Sequence, residues 1–78
     1  MIKLQILGSG CAKCATLALN TDVAARSLGL DYELEKVTDI NAIIDAGVMS
    51  TPALAIDGEV KSVGRVLSVA EIKQLLMA

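Results

Sequence analysis

The sequence predicts an α/β fold of order βαβαββα, a four-stranded mixed sheet with helices on both faces. Three observations predict it. Apolar residues recur first with a period of two, then with helical spacing, and alternate in this way along the chain. The first strand–helix–strand unit requires a parallel pair with a right-handed crossover. The dipeptide Asp57-Gly58, between two short apolar runs, signals an antiparallel hairpin.

Each element follows from its residues. "IKLQIL" puts Ile2, Leu4 and Ile6 on one face and Lys3 and Gln5 on the other, and Gly8 and Gly10 then break the chain. From about Ala12 to Leu28 the spacing is helical. Leu17, Thr21, Ala24 and Leu28 share a face, and Gly29 stands where a helix C-cap favours glycine. "DYELEKV" alternates again, with Tyr32 and Leu34 on one side and Lys36 in the same parity. In "TDINAIIDAG", Thr38 or Asp39 caps a short helix whose stripe is Ile40, Ile43 and Ile44, and Gly47 ends it. "ALAI" and "EVKSV" are the hairpin strands. Ser68 and Glu71 have capping-box spacing ahead of Ile72, Leu75 and Leu76, so the chain closes on a helix.

The 78 residues make a single domain, 1–78, whose core is aliphatic, because Tyr32 is the only aromatic in a chain that is 54% apolar. A net charge of −2 with no basic cluster argues against nucleic acid or an anionic membrane as partner. No apolar stretch approaches the roughly 20 residues that span a bilayer. The N-terminus lacks the continuous apolar region of a signal peptide. The expected protein is a cytoplasmic monomer, in a compartment where thiols are reduced and disulfides transient.

Chemistry concentrates in "GSGCAKC", residues 8–14, which holds both cysteines, Cys11 and Cys14. Cys11 falls at the joint of the first strand and first helix, where free N–H groups and the helix dipole favour an anion. An ordinary cysteine with a pKa near 8.5 is only about 3% thiolate at pH 7. Bringing the pKa to about 7 requires about 2 kcal/mol of differential stabilisation. Lys13 is a candidate to add to that, set against the reading of a solvated surface lysine. Cys14, one turn further in and facing inward, is placed to resolve the mixed disulfide that Cys11 forms.

Other uses of the pair fit less well. A staple closing so small a ring gains only about 2 kcal/mol. Structural zinc needs four ligands, and the chain has no histidine and no third cysteine. The glycines lack the third Gly or Gly-Lys-Ser/Thr ending of a phosphate loop. Transfer of a soft metal, Cu(I), by the same C-x-x-C is the alternative that stands, since two thiolates suffice for that ion. Small copper-carrier domains, however, run βαββαβ and end on a strand.

Pro52, the only proline, opens the third strand, a position where a missing N–H is tolerated. With it, "GSGCAKC", "GVMSTPALAIDGEVKSVGRV" and "SVAEIKQLL" resemble the short thioredoxin/glutaredoxin-like redox-active disulfide proteins of bacteria and archaea. The resemblance covers nearly the whole chain. It implies a minimal thioredoxin fold, with Cys11 as nucleophile, Cys14 as resolving thiol and Pro52 in cis. It further implies that Thr51 offers its backbone to an extended substrate strand. Thioredoxin itself has an aromatic before its first cysteine and Gly-Pro between the two, where this chain has Gly10 and Ala12-Lys13. No Cys-Asp or Ser-Asp dipeptide of the kind that holds glutathione in glutaredoxins follows the hairpin, where Val63-Gly64-Arg65 stands instead. The expected activity is thiol–disulfide exchange on a protein or small-molecule disulfide, without a bound cofactor. An upstream reductant of the thioredoxin reductase or glutathione type would recycle the pair.

Overall fold

The computed structural model describes residues 1–8, 10 and 12–77. Its elements are β1 (Ile2–Leu7), α1 (Ala12–Ser27), β2 (Tyr32–Val37), α2 (Ile40–Asp45), β3 (Ala53–Ile56), β4 (Glu59–Val63) and α3 (Val69–Met77). The strands form a single sheet in the order β2-β1-β3-β4. β1 runs parallel to β2, pairing Ile2 with Tyr32 and Leu7 with Val37. It runs antiparallel to β3, which is in turn antiparallel to β4. The order is the expected one. α2 separates β2 from β3 and the described chain closes on α3, unlike the copper-carrier arrangement.

Two apolar layers cover the sheet. Leu17, Ala18 and Ala24 of α1 and Ile72 of α3 pack on Ile6 and Leu54. On the opposite face Ile43 of α2 packs with Leu7, Ala53, Ala55 and Val48. β1 and β3 are central and covered on both sides, so consecutive residues are buried: Ile6 with Leu7, and Ala53 with Leu54 and Ala55. The one-faced alternation expected of β1 therefore holds only up to Ile6. Thr21 lies within α1's apolar stripe at 0% exposure, and its hydroxyl is satisfied by donating to the Leu17 carbonyl at 2.7 Å.

The turns carry the expected local chemistry. Asp57 at φ 50° and Gly58 at φ 85° form a two-residue turn with both central residues left-handed, the twist a tight hairpin needs. The pairings of Leu54 with Ser62 and Ala55 with Val60 leave Lys61 as an extra residue, a bulge in β4. After α1, Gly29 N–H donates to Arg26 and Leu30 N–H to Ala25. After α2, Gly47 N–H donates to Ile44 and Val48 N–H to Ile43, the same paired closure. Asp39 is the cap of α2, its carboxylate accepting from the Asn41 N–H at 3.0 Å. Of the expected α2 stripe only Ile43 is buried, whereas Ile40 and Ile44 are 68% and 62% exposed. A helix of six residues turns one narrow face to the sheet, and that face holds a single isoleucine.

At the start of α3 the capping box closes in both directions. Ser68 N–H donates to Glu71 Oε1 and Glu71 N–H to Ser68 Oγ, each at 3.1 Å. The Ser68 N–H, and after it the Arg65 guanidinium 2.9 Å away, hold the Glu71 carboxyl below its ordinary range. A depressed carboxylate stabilises the fold above its unfolded pKa, and that contribution is lost as pH falls through the folded value. Glu71→Gln is therefore expected to destabilise the protein at pH 7, with the gap to the parent chain closing below about pH 4. Ser68→Ala is expected to lose about 1 kcal/mol at neutral pH. Urea unfolding of both variants at pH 7 and pH 3 checks the pair.

Candidate active site

The site forms where β1 gives way to α1. Gly8 continues the β1–β2 ladder, its N–H donating to the Val37 carbonyl at 3.0 Å, and the residue is buried. α1 begins at Ala12 and its buried stripe starts with Cys14, followed by Leu17, Ala18 and Thr21. The helical spacing that buries the core side of α1 therefore turns the Cys14 sulfur inward as well, and the residue is only 5% exposed. Cys11, the expected nucleophile, lies outside the described residues.

Gly8 fixes how close the helix comes. A Cβ at this position would overlap the Cys14 Sγ outright, and would stand 3.4 Å from the Cys14 Cβ and 3.7 Å from the Thr51 Cβ. Cys14 and Thr51, 37 positions apart in sequence, thus meet over a single glycine. Read from the sequence, Gly8 is only a chain break. Its signal is indistinct there, because a glycine that ends a strand and a glycine that makes room for a sulfur look alike.

The Thr51–Pro52 bond is cis, as the resemblance implies. Pro52 is fully buried and its carbonyl accepts from the Gly64 N–H at 2.8 Å, while Thr51 is exposed. The next residue, Ala53, pairs with Leu7 on one side and Val63 on the other. Pro52 is therefore held at the entry of a central strand, and Thr51 projects from that anchor toward Gly8 and Cys14.

A pocket of about 160 Å³ opens beside Cys14, lined also by Gly8, Gly10, Ala15, Lys36 and Thr38. Lys36 reaches it from β2. It shares parity with Leu34, which packs in the layer beneath α1, and it pairs with Ile6 of the same layer. Lys13 is exposed and does not line this pocket. Lys36 is exposed as well, so the two lysines differ only in that Lys36, which the sequence showed as a member of an alternating strand, lines this pocket.

The comparisons with known proteins agree with this architecture. A family model described as "Thioredoxin domain" matches residues 2–77. The chain is 47% identical over 76 residues to a protein named "Thioredoxin" from Methanothermobacter thermautotrophicus, covering 97% of this chain and 99% of that one. It is 41% identical over 76 residues to a "Thioredoxin" of Methanocaldococcus jannaschii, covering 97% of this chain and 87% of that one. The chain belongs to the thioredoxin-domain family, and its fold is the α/β thioredoxin fold in short form. It is a thioredoxin-like disulfide reductase, of the general class of thiol–disulfide oxidoreductases.

The close approach over Gly8 yields a direct test. Gly8→Ala is expected to cost about 1–3 kcal/mol through overpacking, because the methyl group must displace the Cys14 sulfur while it comes into contact with the Thr51 side chain. Thermal unfolding measures the loss. The Cys14 and Thr51 resonances in a heteronuclear NMR spectrum should move more than those of α3, on the far side of α1.

Proposed function

We propose that the chain carries two electrons between a reductant and a disulfide substrate through Cys11 and Cys14, as one cytoplasmic domain with no bound cofactor. The Cys11 thiolate attacks one sulfur of the target disulfide, forming a mixed disulfide and releasing the other half of the target as a thiolate. The Cys14 thiolate then attacks the Cys11 sulfur, the remaining target half leaves as a second thiolate, and the Cys11–Cys14 disulfide remains. The target has gained two electrons and takes up two protons. An upstream reductant returns the pair to the dithiol.

The observation that carries this reading is the seating of the Cys14 sulfur, inward at the first turn of α1 and against Gly8, with Thr51 meeting it over the same glycine. A buried second sulfur attacks only a partner brought to it, which suits a resolving thiol. It also leaves the first contact with substrate to Cys11, one position before α1 in the chain. Thr51 and Pro52 are the substrate-binding pair in this account. The backbone of Thr51, an exposed residue, accepts an extended segment of the target beside the reacting sulfurs, and buried Pro52 keeps it in place. The substrate is a disulfide in a protein or a small molecule.

Turnover of a model protein disulfide, such as those of insulin, tests the assignment. Cys11→Ser is expected to abolish reduction. Cys14→Ser is expected to form the mixed disulfide once and stop, adding the mass of the target to the chain. Full turnover by the Cys11→Ser variant overturns the account.

A further inference from the structure

The segment between α2 and β3 is anchored at both ends and turned outward between them. Val48 is buried at its start, packed with Leu7, Ile43 and Ala53, and Pro52 is fully buried at its end. Between the two, Ser50 lies against Gly64: a Cβ on that glycine would stand 3.0 Å from the Ser50 Cβ. Gly64 N–H also donates to the Pro52 carbonyl. Met49 projects from this anchored stretch at 95% exposure, two positions before Thr51. The run from Ala46 to Pro52 carries no charge, and exposed Val63 stands next to Gly64 in the chain.

A lone exposed apolar side chain is ordinary. This one falls in the segment that, on the exchange reading, receives the target, and a thioether there has two relevant properties. It is flexible and polarizable, so it packs against apolar side chains of varied shape. It is also open to oxygen transfer. A peroxide gives one oxygen atom to the sulfur: the O–O bond breaks, the S–O bond forms, the sulfide loses two electrons, and the peroxide leaves as water or an alcohol. The product is a polar, chiral sulfoxide, which sulfoxide reductases return to methionine. The other two methionines are also exposed but lie at the opposite end of the sheet. Met1 adjoins Ile2, the end of β1 away from Gly8, and Met77 follows Leu76, which lines one hollow with Ile2.

We propose that Met49 is a modification site, where a peroxide-class oxidant converts the thioether to the sulfoxide and so slows reduction of protein disulfides while sparing small ones. The proposal rests on the exchange reading above and narrows its substrate class. The target is a protein segment that lays an apolar side chain on Met49 as its backbone meets Thr51. Oxidation replaces that apolar contact with a strong dipole, which must lose its water before the target docks. The reacting sulfurs are untouched, so a disulfide too small to reach Met49 is reduced as before.

The test treats the chain with hydrogen peroxide after its cysteines have been joined as the disulfide, then removes the peroxide and reduces the pair with dithiothreitol. Peptide mass mapping should show Met49 carrying one added oxygen atom. The pre-reduced protein, freed of dithiothreitol, is then mixed with insulin or with bis(2-hydroxyethyl) disulfide. Peroxide treatment is expected to slow the insulin reaction about fivefold, or about 1 kcal/mol, and to leave the small disulfide's rate unchanged. Methionine sulfoxide reductase should restore the insulin rate. Met49→Leu should keep its insulin rate through the same treatment, although Met1 and Met77 are still oxidised, and Met49→Gln should be slow on insulin without any oxidant. The proposal is overturned by a Met49 that stays unoxidised while Met1 is converted, by an insulin rate unmoved once Met49 is oxidised, or by an equal loss in Met49→Leu or on the small disulfide. An untreated parent chain that reduces neither disulfide ends the exchange reading, and this proposal with it.

Discussion

Everything at the functional end of this molecule depends on one close approach: the first turn of α1 sits so near the end of β1 that only a hydrogen atom fits between the backbone at Gly8 and the Cys14 sulfur. That approach is made possible from below. Ala18, Ala24 and Ala25 are buried on the sheet side of α1, and their small side chains let the helix lie low on the strands. The aliphatic core, with no aromatic in it, is thus connected to the chemistry. Larger residues along this seam would lift the helix and carry the sulfur away from Thr51.

Most of the fold is legible in the chain because its local signals agree with its tertiary ones. The turn at Asp57-Gly58, the reciprocal bonds of Ser68 and Glu71 and the closures after Gly29 and Gly47 are all local, and each is where the residue types put it. What the chain conceals is what depends on neighbours. Leu7 is buried because β1 is sandwiched between two strands and covered on both faces, a fact of sheet order that no alternation within β1 can express. Ile40 and Ile44 have helical spacing with Ile43, but α2 is too short to bury all three.

The site divides in the same way. The C-x-x-C spacing and Thr51-Pro52 stand out in the sequence, since rare residue types at rare spacings are visible without a structure. Gly8 and Lys36 do not stand out, because a glycine after a strand and a lysine in an alternating strand are commonplace. The parallel register of β1 and β2 puts Lys36 beside Ile6 and Val37 beside Leu7, at the Cys14 end of the sheet. Lys13, adjacent to the cysteines in sequence, and Lys36, 22 positions beyond Cys14, are both exposed, but only Lys36 lines the pocket.

The bulge at Lys61 bears on the molecule's behaviour in company. β4 is an outer strand, and a flat row of unpaired amides there would invite a neighbouring chain to continue the sheet. The extra residue puts a kink and a cation, paired with Glu59 at 3.1 Å, into the middle of that border. The opposite border, β2, carries Glu33, Glu35 and Lys36 along its length. A protein whose proposed work is to receive extended segments at Thr51 thus discourages them at both margins of its sheet, so strand addition is steered to the one place where sulfur chemistry can follow.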